Sequence, residues 1–196
     1  MKVVLASLIL SSSLIPAVSF ADPAKQAESA ATARHYSTGG FAETVIDRPA
    51  KVAFDILTDV NRWPEINLGV TKAIDPAGLK VAKGVIFRES VISPTPGLAN
   101  WANDWTVEDY DPQNKRFVIA GRDNFTKTPI YVRLTYSFTE LTPTSTLYKR
   151  TIEATVDERF MKEASKVEIA GLADFLGAQW AMAKHLKTFI EANSKP

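Results

Sequence analysis

The sequence predicts an α+β fold: a curved antiparallel sheet of about seven strands wrapped around one long C-terminal helix, with two short helices after the first strand. Three observations predict it. Residues 158–193 contain no proline and are rich in Ala, Leu, Met, Lys and Glu, which are strong helix formers. Between residues 70 and 156, six short segments alternate apolar and polar residues, separated by clusters of Pro, Gly, Asn and Asp. Ahead of them, Pro49, Asp59 and Pro64 punctuate a stretch with room for only two short helices, which excludes a regular strand–helix alternation.

Residues 1–21 stand apart from this pattern. Lys2 precedes an apolar and small-residue run over residues 3–15, and Ser19-Phe20-Ala21 offers a cleavage site before Asp22. That is the pattern of a secretory signal peptide, which places the mature protein in a periplasm or outside the cell. The run is shorter than the ~20 residues of a spanning helix. Residues 22–39, rich in Ala, Ser, Thr and Gly and carrying His35, read as a linker into a domain over residues 40–193.

Removing the leader from the 196-residue chain leaves 175 residues, enough for one domain with a substantial core. The chain has 23 Lys and Arg against 22 Asp and Glu, and losing Lys2 equalises them. No basic surface for nucleic acid follows from that balance. With no cysteine there are no disulfides, no thiol chemistry and no Cys-based zinc site. No His, Asp and Glu spacing marks a metal centre, and no phosphate loop, dinucleotide fingerprint or nucleophile elbow marks a cofactor or a hydrolase.

The elements follow in order. Residues 41–47 form the first strand, with Phe41 and Val45 on one face and Thr44 and Ile46 on the other. Pro49 suits a helix start, and Val52, Ala53, Ile56 and Leu57 supply that helix's buried face. A second short helix runs from the Asp59 cap through Trp63 to Ile66. Strands are expected over residues 70–74, 84–92, 100–110, 116–121, 131–139 and 146–156. In the last two, Val132, Leu134, Tyr136 and Phe138, then Tyr148, Arg150, Ile152, Ala154 and Val156, share the inner face. On the final helix, Met161, Ala164, Leu172, Phe175, Met182, Leu186, Phe189 and Ile190 fall on one stripe, with lysines opposite. Glu168 and Gln179 lie inside that stripe. A curved sheet around a helix leaves a wedge, and whether side chains fill it decides if a ligand fits.

Several local phrases carry a resemblance to a known superfamily. Phe41-Ala42-Glu43-Thr44-Val45-Ile46 is followed by Pro49, Val52, Phe54, Leu57, Asp59 and Trp63-Pro64-Glu65. Gly84-Val85-Ile86-Phe87, Trp105-Thr106-Val107 and the paired last strands continue the pattern through about residue 192. The chain thereby resembles the START-like, or SRPBCC, helix-grip superfamily, which includes polyketide cyclase/dehydrase-like and lipid-transfer proteins. The resemblance implies a cavity between sheet and last helix that holds hydrophobic or amphipathic molecules. Members range from carriers to cyclases, hydratases and partner-binding proteins, so it fixes no reaction. The export signal departs from a cytosolic cyclase.

Candidate ligand-binding residues are Trp101, Asn103, Trp105, Tyr136, Tyr148, Arg150, Glu168, Phe175 and Gln179. Trp101 and Trp105 share a strand face with Asn103, more polar than a dry core prefers. Arg150, on an inner face between Tyr148 and Ile152, needs a counterion. Glu168 is one partner, the carboxylate or phosphate of a ligand another, and a register slip would turn the strand over. No catalytic residue stands out: His35 and His185 are isolated, and Glu43, Glu89 and Asp104 would serve as a base only if buried. Loops bearing Leu98 and Phe125 are candidates for a cavity rim or for transient membrane contact.

Three functions are consistent with these residues. The first is binding or transport of a small hydrophobic or amphipathic ligand, lipid-like or polycyclic. The second is a cyclase- or dehydratase-type enzyme using a cavity carboxylate. The third is a non-catalytic envelope protein with a closed core and a protein partner that the sequence does not identify. No cofactor is called for by any of them.

Overall fold

The computed structural model describes residues 34–195 other than Phe125, Lys127 and Pro129. The expected signal peptide and most of the expected linker lie outside the described residues.

Seven antiparallel strands form one sheet: β1 (His35–Ile46), β2 (Thr71–Asp75), β3 (Ile86–Val91), β4 (Trp101–Asp111), β5 (Arg116–Asp123), β6 (Ile130–Thr142) and β7 (Ser145–Asp157). Their order is β1-β7-β6-β5-β4-β3-β2, so β2 to β7 form a meander and β1 joins the far edge beside β7. Between the edge strands in sequence lie α1 (Ala50–Thr58), a 3₁₀ turn (Val60–Arg62) and α2 (Trp63–Ile66). The order from β1 through the two short helices to the C-terminal cover is the one expected. Bulges between Val107 and Asp109 and between Thr71 and Ala73 help to bend the sheet.

The expected inner faces of β6 and β7 are the buried ones: Val132, Leu134, Tyr136 and Phe138 face the core, as do Tyr148, Arg150, Ile152, Ala154 and Val156. Register Tyr136↔Arg150 and Phe138↔Tyr148 puts these side chains beside one another. β1 keeps the two expected faces but starts earlier than expected. It begins at His35, not Phe41, and its buried residues are Ala42 and Ile46, whereas Phe41 and Val45 are exposed. Gly39 explains part of this: a Cβ there would sit 2.4 Å from the Ile152 carbonyl oxygen, so only glycine allows β1 to lie so close to β7.

The cover is segmented, a correction to the single helix over residues 158–193. It consists of α3 (Glu158–Glu163), α4 (Lys166–Gly177) and α5 (Gln179–Asn193). Asp157 caps α3, accepting from Phe160 N at 3.0 Å. Ala164 then turns extended, and Ser165 restarts the chain with a capping box: Ser165 Oγ accepts from Glu168 N (3.2 Å), and Glu168 Oε2 accepts from Ser165 N (2.8 Å). The second break is milder. At Ala178 the backbone stays near helical, with φ −71° and ψ −7°, and Met182 N still bonds Ala178 O. Segmentation also moves Met161 out of the inward stripe, leaving it 61 % exposed, and Phe160 takes the buried position.

The far end of α5 is tied to the β1–α1 corner. Lys187 Nζ donates to Val45 O (2.8 Å), Asp47 N to Glu191 Oε1 (2.8 Å) and Arg48 Nε to Ser194 O (3.0 Å). No helix among the described residues is long and apolar enough to cross a membrane.

Candidate functional site

The wedge between sheet and cover is filled at one end and hollow at the other. Near α1, Phe54 meets Phe138 edge-on with centroids 6.0 Å apart and stacks on Tyr110 at 5.7 Å, while Phe138 lies 5.0 Å from Tyr148. Beneath α4 and the start of α5 a cavity of about 80 Å³ remains. Its sheet wall is built by Glu89 and Val91 of β3, Trp101, Asn103 and Trp105 of β4, Leu134 and Tyr136 of β6 and Arg150 of β7. Its cover side is built by Gly171, Asp174, Phe175, Ala178, Gln179 and Met182. Pro94 and Asp174, both exposed, mark the mouth, where the loop after β3 meets α4 and Thr95 Oγ1 donates to Asp174 Oδ2 at 2.7 Å.

Seven of the nine candidate residues meet at this cavity: Trp101, Asn103, Trp105, Tyr136, Arg150, Phe175 and Gln179. Two do not. Tyr148 packs in the aromatic end against Phe138. Glu168 turns to the N terminus of α4 as half of the capping box, and the Arg150–Glu168 pair is not among the ion pairs of the described residues. Leu98 is half-buried against the core, and Phe125 lies outside the described residues.

The polar groups on the wall are buried and incompletely bonded. Asn103, Gln179 and Arg150 are 3 %, 3 % and 6 % exposed. Gln179 Nε2 donates to Phe175 O (2.7 Å), leaving Oε1 without a donor; Asn103 Oδ1 and Arg150 Nε also lack partners. Each such group costs about 1–3 kcal/mol when left unpaired in a closed core, and three of them gather on this one cavity. Arg150 is held with its Cζ 5.4 Å from the Tyr136 ring centroid.

Of the three carboxylates considered from sequence, Glu43 and Asp104 are exposed, Asp104 pairing with Arg88 (2.7 Å), and Glu89 is buried on the wall. Burial pushes the Glu89 carboxyl above its ordinary range, against hydrogen bonds from Thr71 and Trp105 and the charge of Arg150. Trp105 Nε1 donates to Glu89 Oε2 at 2.8 Å; Thr71 Oγ1 donates to Oε1 and itself accepts from Asn67 Nδ2 at 2.9 Å. Sequence reasoning missed Thr71 and Asn67, since a Thr and an Asn near a turn carry no signal of a buried network. Gly121 keeps Trp105 in place: a Cβ there would lie 2.1 Å from Asp104 O and 3.1 Å from a Trp105 ring carbon.

His185 Nε2 lies 3.4 Å from Glu65 O, away from the cavity, and His35 is exposed. Among the described residues, no group of three His, Cys, Asp or Glu side chains is placed to hold a metal.

No protein-family model matches the sequence, and no curated protein matches it. Solved structures do match in fold. The Zhui aromatase/cyclase from Streptomyces sp. R1128 superposes with a TM-score of 0.61 at 12 % identity, covering 82 % of this chain and 97 % of that one. Norcoclaurine synthase from Thalictrum flavum, in complex with dopamine and hydroxybenzaldehyde, gives 0.57 at 13 % identity, covering 95 % and 100 %. Ara h 8.0201 gives 0.59 at 10 % identity, covering 81 % and 100 %. The fold is therefore the helix-grip fold that these structures share, as the sequence led us to expect.

Proposed function

We propose that this protein binds a small, largely apolar molecule in the cavity between the sheet and α4–α5. The observation that carries the reading is the cavity itself. In a wedge otherwise packed with aromatic rings, about 80 Å³ stays open beneath the cover, walled by Trp101, Trp105, Tyr136 and Phe175 and reaching the surface between Pro94 and Asp174. An apolar wall with a few buried polar groups is how small-molecule sites are built. The cavity is smaller than the ~150 Å³ that holds a benzene ring, so the ligand is at most a single ring or a short chain, and the cover gives way slightly to admit it. A polycyclic or long-chain lipid would need α4 to swing away from the loop after β3. Dopamine and hydroxybenzaldehyde, named for the norcoclaurine synthase complex, are single-ring molecules of the smaller kind.

Glu89 supports the second reading, an acid–base enzyme, because it is a buried carboxyl on the cavity wall with a raised pKa. The binding reading is preferred because both of its oxygens already accept hydrogen bonds, from Thr71 and Trp105. A closed structural core fits less well, since it leaves Arg150, Asn103 and Gln179 unsatisfied. Export rests on residues 1–21, and transient membrane contact at the mouth on the loops that flank it.

Native mass spectrometry of protein purified from its own host, followed by extraction, tests the proposal. A copurifying small apolar compound is expected, displaced in Ala178→Phe, which fills the cavity from the cover side. Repeated recovery of bare protein, together with failure to bind the neutral single-ring probe toluene, would overturn it.

A further inference from the structure

The cavity wall carries one cation with nothing to answer it at contact distance. Arg150 is the only Lys, Arg or His among the described lining residues. Its Nε has no hydrogen-bond partner, and it makes no ion pair within 4.0 Å among the described residues. The guanidinium sits over Tyr136, so its position is set before a ligand enters. Beside it, Asn103 Oδ1 and Gln179 Oε1 are buried without donors. Glu89, the carboxyl on the same wall, is engaged by Thr71 and Trp105.

Resting on the proposal that this cavity is a ligand site, we infer that its ligand is a monoanion: an apolar or aromatic body ending in one carboxylate, which Arg150 binds. A buried guanidinium is stable when an anion supplies both charge and acceptor oxygens. The planar two-oxygen carboxylate matches the guanidinium fork. One cation neutralises one charge. A phosphate dianion would place its second charge in an apolar space shared with the oxygens of Asn103, Gln179 and Glu89. The apolar body then lies against Trp101, Trp105 and Phe175.

Three probes with one body test this: 3-phenylpropanoate, its neutral amide 3-phenylpropanamide, and 2-phenylethylphosphonate, titrated calorimetrically into the full chain at about pH 9, where the phosphonate is a dianion and Arg150 keeps its charge. The acid is expected to bind at least about tenfold more tightly than the amide and than the phosphonate, one charge-assisted contact being worth about that factor. Arg150→Met is expected to narrow the acid–amide gap to within about twofold while thermal stability holds or rises. If that variant does not fold, the wild-type Arg150 side-chain Nε–H resonance serves instead, and is expected to shift with the acid and stay with the amide. Equal binding of acid and amide, a preference for the phosphonate, or an Nε–H that ignores the acid would overturn the monoanion while leaving the cavity as a site. Binding of none of the three, with no uptake of toluene, would overturn both.

Discussion

The two ends of the interior are made of similar residues and behave differently. At the α1 end, Phe54, Tyr110, Phe138 and Tyr148 fill the wedge ring against ring, and Lys187, Glu191 and Arg48 fasten α5 to the β1–α1 corner. At the α4 end the rings of Trp101, Trp105, Tyr136 and Phe175 stop short of one another, and buried polar atoms line the gap. The cover there is held at its edge by a capping box and by the Thr95–Asp174 bond. Aromatic content therefore does not distinguish a core from a site. What distinguishes them is whether the buried polar groups between the rings have partners, and how firmly the covering helix is fastened. One end stores stability, and the other gives some of it up to keep a space.

The comparison can be broken most directly by truncating one ring at each end. Phe138→Ala, at a residue 3 % exposed between Phe54 and Tyr148, is expected to cost about 3–5 kcal/mol in urea unfolding. Phe175→Ala, at a half-buried residue on the cavity, is expected to cost about 1 kcal/mol, roughly half the transfer value of a fully buried phenylalanine. Equal losses would mean that the α4 end is packed as tightly as the other.

The Glu89 carboxyl sharpens the comparison through pH. Its folded value lies above the ordinary 4.5, with burial as the largest cause and Thr71, Trp105, Arg150 and Asn67 opposing it. Between 4.5 and the folded value, the native protein keeps a proton that the unfolded chain has released. Stability therefore falls as pH rises through that window, by at most ~1.4 kcal/mol per pH unit, and the contribution vanishes below it. Subtracting the pH–stability curve of Glu89→Gln from that of the wild type isolates this slope. Tyr136, which also senses Glu89, stays neutral because burial raises its phenol further. A flat difference curve would show that Glu89 is solvated in the native state and that the α4 end is wetter than its burial implies.

The smallest expected effect on stability is at the mouth. Thr95→Val removes the bond to Asp174 at the rim, with an expected loss of about 1 kcal/mol or less. Stopped-flow measurement of probe release is expected to show several-fold faster exchange, because that bond joins the loop to α4. An unchanged release rate would place the exit route elsewhere.

Much of this was legible in the chain, for specific reasons. The inner faces of β6 and β7 could be read because a strand repeats every two residues and both segments alternate without a break. Which side of β1 is buried could not be read in the same way, because its buried positions include Ala42, too small to signal a core, while its large Phe41 and Val45 face outward. The break before α4 was written plainly as Ser165-x-x-Glu168, a capping-box signature passed over because Glu168 also fell on the apolar stripe. Arg150 was recognisable as a buried cation in need of an anion. That its partner is not Glu168 followed only from the helix break.

By itself, then, the sequence determined the strands, their order of use, the inward sides of β6 and β7 and a helical cover, since all of these follow from local periodicity and turn chemistry. Tertiary structure decided where the wedge closes. Tyr148 and Arg150 are two residues apart on one face of β7, about 7 Å along the strand. Yet Tyr148 meets Phe138 in a packed core, and Arg150 meets open space. No periodicity encodes that difference, because it depends on which rings arrive from β4, β6 and the cover, and on how far short of one another they stop.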